Sequence, residues 1–304
     1  MRVIITGGTG LIGRSLCRTL AERGHEIIVL SRDPAPAASA FHRLGLTSVK
    51  IVGWDARTAA GWGELIRPDS AIVNLAGASP AHWRWTKKYR TRILKSRLHA
   101  GEAVMQALER YGSPDVLIQA SAAGYYGDRG QELLTESSPP GQGFRAEVAQ
   151  AWEASVAIAR TRCCLLRTGL VLDAHAGAFP PLRRFAQLLG SRLGNGDQWI
   201  PWVHVEDIAG AICFLLQQRT LSGPFNVCSP EAVSNREFLR AMRRTLRRFA
   251  LVPLPAPGLR LLLGELSTVV LDSQHLVPER LLEARFPFHY SSLDQALRQL
   301  LLDS

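Results

Sequence analysis

Eight residues near the start of the chain carry the strongest chemical signal: Thr6-Gly7-Gly8-Thr9-Gly10-Leu11-Ile12-Gly13. Glycines spaced in threes, after an apolar run and before a helical pattern, bring backbone N–H groups up to a pyrophosphate. Gly7 allows the tight turn, Gly10 lets the main chain approach the phosphates, and Gly13 lets helix and strand pack closely. Thr9, Leu11 and Ile12 complete the loop and the helix start, whose free N–H groups and positive dipole end favour an anion. The end of the next apolar run selects between dinucleotides. A free ribose 2′-hydroxyl usually meets Asp or Glu there, whereas this chain has Leu30-Ser31-Arg32. The planar cationic fork of Arg32, with Ser31 beside it, suits a 2′-phosphate. The motif predicts NADP(H) rather than NAD(H), although Asp33 comes directly after it.

Such a loop needs a sheet beneath it. Apolar, β-branched runs at 3–6, 26–30, 48–52, 71–75, 116–120 and 163–167 alternate with helical stretches, the first spanning 11–22. This alternation predicts an α/β fold: a Rossmann-type, doubly wound parallel sheet covered on both faces, with a smaller C-terminal substrate lobe. Residues 1–173 form the expected NADP-binding domain, with 205–230 returning to it through a helix and a further strand near 225–228. Residues 174–204 and 231–304 form the lobe and an extension, with a connector at 253–258 and a leucine-rich helical tail. Leu94, Leu98, Gly101, Met105 and Leu108 mark one helix face that packs on the sheet or on a second subunit, which raises a homodimer.

Composition narrows the partners. The 304 residues hold 36 basic against 26 acidic side chains, a net charge of +10 that raises nucleic acid as a partner. Only four are lysines (Lys50, Lys87, Lys88, Lys95), and the concentrations at 87–97 and 240–248 have helical spacing without an aromatic ladder. They read as solvated faces or a pocket for anionic phosphates, so a small molecule is expected and nucleic acid is not. No stretch approaches the roughly 18 apolar residues of a membrane span, and Arg2-Val3-Ile4-Ile5-Thr6 reads as a strand, not a leader. Cys17, Cys163, Cys164, Cys213 and Cys228 form no CxxC pair, so reduced thiols in a cytoplasmic protein are expected, with no metal.

The chain resembles the extended short-chain dehydrogenase/reductases, and more closely their atypical branch of epimerase-family, NAD-dependent epimerase/dehydratase-like proteins. The resemblance rests on residues 7–13, Val73-Asn74-Leu75-Ala76-Gly77, Trp85-Thr86 with Ser96-Arg97, and Ser121-Ala122-Ala123-Gly124-Tyr125-Tyr126-Gly127. It continues through Trp152-Glu153, residues 167–172, 194–199 and 202–207, and the extension with Pro278-Glu279-Arg280-Leu281 and Phe286-Pro287-Phe288. It implies that Asn74, Leu75, Ala76 and Gly77 lie along the cofactor's ribose and phosphates, that Asp55 contacts adenine, and that Val171 borders the nicotinamide. Arg97, with no apolar partner in the sequence to explain it, is placed to reach a phosphate from its helix. His204 and Asp207 have a structural reading: the Asp caps the following helix and the His bonds backbone.

Reductase chemistry in this superfamily uses a Tyr-x-x-x-Lys pair, in which lysine lowers the tyrosine pKa. Here the residues four before each lysine are Leu46, Trp83, Arg84 and Thr91, so the pair is absent. Upstream of Trp152-Glu153, where the resemblance puts it, stand Phe144-Arg145 and Ala149, and Ala122 fills the slot, four residues before Tyr126-Gly127, where relatives place Ser or Thr. Ser121 and Tyr125 are the remaining catalytic candidates, with Tyr126 and His204 behind them and Gln198, Trp199 and Trp202 as possible cover. Two readings stay open: an oxidoreductase or epimerase-like enzyme, and a non-catalytic NADP(H)-binding regulator or redox sensor.

Overall fold

Each central strand alternates its side chains between two cores, which is what burial on both faces demands. The structure is a computed structural model that describes residues 1–80, 84–188, 190–249 and 252–302; Trp83 and the last two residues of the expected tail lie outside the described residues. Seven parallel strands form the sheet: β1 (Arg2–Thr6), β2 (Glu26–Ser31), β3 (Lys50–Gly53), β4 (Ala71–Asn74), β5 (Val116–Ala122), β6 (Arg162–Thr168) and β7 (Gly223–Val227). Their order is β7-β6-β5-β4-β1-β2-β3, so the chain reverses direction between β1 and β4. Val3 pairs with Ile27 on one side and Ala71 on the other. That reversal makes a crevice at the carboxyl ends of the strands, where open α/β sheets take ligands.

Val3, Ile5, Val29 and Val73 point to one face, under α1 (Leu11–Glu22), α2 (Pro34–Arg43) and α6 (Val205–Gln217). Ile4, Ile28, Ile72 and Leu117 point to the other, under α3 (Lys87–Tyr111). α4 (Phe144–Ala154) packs beside α3 on β5. On α3 the buried residues are Ile93, Arg97, Ala100, Gly101, Ala103, Val104, Ala107 and Leu108, so the buried face holds Gly101 and Leu108 of the expected stripe but is centred about one residue before it. Alanines let the helix approach the sheet, while Gly101 turns toward α4: a Cβ there would sit 2.0 Å from Ser155 Oγ.

The second half packs α5 (Phe179–Leu188), α7 (Asn235–Thr245) and α11 (Leu293–Leu302) around Phe179, Trp202, Phe238 and Leu297. Two expectations change here. The connector expected at 253–258 begins within a strand, Val252–Leu254, paired with Gly190–Leu193. The helical tail is broken into α8 (Ala256–Leu263), α9 (Thr268–Leu271), α10 (Glu279–Glu283) and α11. Gly264, at φ +58°, ends α8, and Pro278 and Pro287 keep the later segments from joining into one helix. Between α9 and α10, His275–Leu276 pairs with Leu133–Leu134, which ties the extension to the sheet domain.

Candidate functional site

The glycine loop is built so that side chains cannot fill it. Gly7 has φ +68°, and a Cβ on it would lie 2.7 Å from the Leu75 carbonyl. A Cβ on Gly13 would lie 2.5 Å from Gly8 Cα and 2.6 Å from Gly7 O. Gly10 N–H closes the turn on Gly7 O at 3.0 Å, and among the described residues no side chain caps α1. The helix therefore starts with N–H donors and a dipole end facing the crevice. Thr9 and Gly10 are exposed, and Leu11 and Ile12 are half-buried. At the end of β2, Arg32 is exposed and its side chain has no partner among the described residues. Ser31 Oγ accepts from Asp33 N–H at 3.2 Å, and Asp33 is turned into the start of α2.

The neighbouring loop is braced from below. Asn74 is fully buried; its Oδ1 accepts from Thr6 Oγ1 at 2.5 Å, and its Nδ2 donates to Gln119 Oε1 at 2.8 Å. Asn74 thus holds the loop through its side chain, and the loop is tied back to β1 by Leu75 N–H donating to Thr6 O at 3.1 Å and Ala76 N–H donating to Thr6 Oγ1 at 3.2 Å. Arg97 lies under Gly77, where a Cβ would be 3.1 Å from its Cζ. Arg97 Nη1 donates to Ala78 O at 3.2 Å and Ile93 O at 2.9 Å, and the guanidinium stacks over Trp152 at 4.6 Å. So Arg97 does have an apolar partner, contrary to expectation, and the contact is invisible in sequence because Trp152 sits on another helix. Burial lowers its pKa to about 10, and among the described residues no carboxylate pairs with it.

Asp55 is spent locally. Its carboxylate accepts from Arg57 N–H and Thr58 N–H, both at 2.8 Å, and from Thr58 Oγ1 at 2.9 Å. Desolvation pushes its pKa up, but the donors of Thr58 and Arg57 outweigh it, and the net shift is downward. Val171 pairs with Val203 in a short parallel ribbon beyond β6. The chain then returns to the glycine loop: a Cβ on Gly177 would meet the Leu11 side chain at 3.0 Å.

Ser121 and Tyr125 come together around a buried ion pair that sequence reading missed. Glu153 on α4 holds Arg167 at the end of β6 through a two-pronged contact, Nε to Oε1 at 2.9 Å and Nη2 to Oε2 at 3.0 Å. Ser121 Oγ donates to the same Oε1 at 2.7 Å, so its proton is directed into the ion pair. The Arg167 guanidinium covers the Tyr125 ring at 3.5 Å. Arg167 Nη1 also donates to the Tyr126 hydroxyl at 3.0 Å, which itself donates to Asn226 Oδ1 at 2.7 Å. Burial pushes Tyr126 up to about 12, with Arg167 opposing, so this phenol is neutral and fixed. Glu136 lies behind it, its Oε1 accepting from Asn226 N–H and its Oε2 without a partner among the described residues; burial raises its pKa.

The extension closes over this turn. Gln274 Nε2 donates to Ala123 O and Gly127 O at 3.0 and 2.9 Å, and Ser273 N–H donates to Asp128 at 3.0 Å. Trp199 stacks on His275 at 4.0 Å, but Gln198 and Trp202 are buried in the lobe, bonded to Leu193 O and Glu231 O, so they do not cover the site. His204 and Asp207 exchange their expected roles. His204 Nδ1 accepts from Glu206 N–H as the cap of α6, while the Asp207 carboxylate accepts from His289 and Tyr290 N–H at 2.7 and 2.9 Å. Capping takes the residue just before the helix, and that residue is the histidine.

A reversed parallel sheet, a glycine cradle at the point of reversal and an uncapped helix start define a Rossmann-type nucleotide-binding protein. Residues 3–228 match the family model of the NAD dependent epimerase/dehydratase family, and the chain belongs to that family. Residues 254–300 match a domain of unknown function, DUF1731. The chain is 34% identical over 309 residues to the Bacillus subtilis epimerase family protein YfhF, covering 100% of this chain and 99% of that one. It is 33% identical over 307 residues to the chloroplastic epimerase family protein SDR39U1 homolog of Arabidopsis thaliana, covering 99% and 87%. The crystal structure of human epimerase family protein SDR39U1 (isoform 2) with NADPH superposes with a TM-score of 0.88 at 29% identity, over 100% of both chains.

Proposed function

We propose that this chain is an NADP(H)-dependent oxidoreductase or epimerase-like enzyme acting on a small molecule in the cytoplasm. The observation that carries the reading is the cradle at Gly7, Gly10 and Gly13, flanked by Arg32 and Arg97, two cations without an acidic partner among the described residues. The residues fit the group: helix N–H donors and Arg97 for the diphosphate, Arg32 and Ser31 for the 2′-phosphate, and the backbone of 75–77 along the ribose. The SDR39U1 structure with NADPH supports the choice of dinucleotide. When bound, the nicotinamide supplies hydride transfer at the carboxyl ends of the strands. Tyr125 is the hydroxyl left to move a proton there, since Ser121 donates to Glu153 and Tyr126 is fixed.

Strict epimerisation is less favoured, because returning the hydride to the opposite face needs a strong base that the missing Tyr-x-x-x-Lys pair would have provided. That absence, with Ser121 and Tyr126 already committed, favours the second reading of a non-catalytic NADP(H)-binding protein. Fluorescence titration with NADPH and NADH separates the cofactors: NADPH binds at least about tenfold tighter, and Arg32→Ala removes the preference. Equal affinities, or tighter NADH binding that survives Arg32→Ala, would overturn the cofactor reading. Turnover of a carbonyl panel, followed by NADPH absorbance, would separate enzyme from binder.

A further inference from the structure

Arg145 opens α4 at the place where the resemblance expects the missing tyrosine, and its side chain reaches across the site to the extension. Its Nη1 donates to Thr268 O at 3.0 Å and to Asp272 Oδ2 at 3.2 Å. Its stem lies along the turn after β5: a Cβ on Gly124 would be 3.1 Å from Arg145 Cβ and 3.4 Å from its Nε. Arg145 and Asp272 each keep 20% of their side-chain surface, so the pair borders open space. Among the described residues, nothing accepts from the Nε–H and Nη2–H edge of Arg145.

That edge has a defined chemistry. Nε–H and the adjacent Nη2–H are parallel donors spaced for two oxygens of one planar anion. The protein shows the filled version nearby: Glu153 takes the same edge of Arg167 at 2.9 and 3.0 Å. Charge decides which anion suits Arg145. Asp272 already offsets the guanidinium, and Asp128 lies close enough to raise the Asp272 pKa after burial has done so. A doubly charged phosphate would face two carboxylates there, whereas a carboxylate brings one charge and the matching flat geometry.

We infer that the Nε–Nη2 edge of Arg145 is a substrate subsite for a carboxylate, and that the substrate is a carbonyl compound carrying that group. The inference deepens the NADP(H)-dependent reading and rests on it for the carbonyl. Asp272 and Thr268 of the extension act as positioning groups that turn the free edge toward the turn at Gly124 and Tyr125.

Isothermal titration with oxamate, a carboxylate beside a carbonyl, tests the subsite on the full chain, with and without NADPH. The unaltered protein binds oxamate, and Arg145→Gln weakens binding about 10- to 100-fold, the worth of a lost charged hydrogen-bond pair. Arg145→Lys keeps the charge opposite Asp272 but lacks the fork, and it loses about tenfold or more while remaining folded by its melting transition. Equal oxamate affinity in Arg145→Lys and the unaltered chain, or no uptake by either form of the unaltered chain, overturns the subsite. Inorganic phosphate binding with the same Arg145 dependence overturns the carboxylate assignment. Absence of NADPH heat is a separate result: it removes the cofactor reading, while the cofactor-free titration still decides the subsite.

Discussion

Replacing Glu153 with alanine removes the acceptor that neutralises Arg167 in the floor of the site. Glu153 and Arg167 are nearly enclosed, at 10% and 5% exposure, so even a water that filled the vacated space would not replace the charge of the carboxylate. Arg167 keeps its bonds to the Tyr126 hydroxyl and Glu136 O, but its Nε–Nη2 edge is left empty, and Ser121 Oγ loses its acceptor. Stranding one charge of a buried pair costs about 3–5 kcal/mol. For a chain of this size each kcal/mol lowers the melting temperature by about 2 °C, so a fall of about 6–10 °C is expected. Arg167→Met in the same chain removes the stranded charge and recovers part of the loss, with a coupling of about 1–3 kcal/mol. Thermal melts of the two single variants and the double variant complete the cycle. A fall below about 1 kcal/mol for Glu153→Ala, or strictly additive effects in the double variant, would refute the reasoning.

Gly13→Ala forces a methyl to within 2.5 Å of Gly8 Cα and 2.6 Å of Gly7 O, so the loop must move; NADPH affinity falls at least about tenfold at a stability cost of about 1–3 kcal/mol, measured by titration and melting. Glu136→Gln tests a pH dependence. Burial raises the folded pKa of Glu136 above its unfolded value, so the contribution of this group to stability is fully present below the unfolded pKa and is lost as pH rises through the folded one. Glutamine keeps the acceptor for Asn226 N–H, so Glu136→Gln raises the melting temperature in mildly alkaline buffer, and the gain shrinks as the buffer is acidified toward the unfolded carboxyl pKa.

The glycine loop was legible because its physics is local. The tight turn at Gly7 and the close packing at Gly13 follow from three-residue spacing, and the expected first helix matches Leu11–Glu22 at both ends. The floor of the site was not legible, because its bonds join residues far apart in sequence: Glu153 and Arg167 by 14 positions, Tyr126 and Asn226 by 100, Arg145 and Asp272 by 127. A signal was present all the same. Arg167 ends the apolar run Cys163-Cys164-Leu165-Leu166, and Asn226 interrupts Phe225 and Val227. Polar groups in strands buried on both faces require partners, and a search for those partners would have reached Glu153 and Tyr126. Trp202 misled in the opposite direction: an aromatic in a loop-rich stretch reads as a lid, yet it is 1% exposed.

Arg97 and Arg145 share a feature that links the two halves of the site. Each spends Nη1 on backbone carbonyls, Ala78 and Ile93 for the first and Thr268 for the second, and each leaves its Nε–Nη2 edge without an acceptor among the described residues. Arg97 belongs to the sheet domain and lies beside the loop proposed to track the cofactor phosphates. Arg145 is steered by Asp272 of the extension. If the first edge serves the dinucleotide and the second the substrate, substitutions in the extension should alter substrate binding while leaving NADPH affinity in place. Asp272→Asn is the direct case: it keeps the side-chain shape beside Arg145 Nη1, removes the charge that orients the guanidinium, and weakens oxamate several-fold more than NADPH in the same calorimeter. Equal losses for both ligands would mean that the extension supports the fold of the whole crevice and does not orient Arg145 in particular.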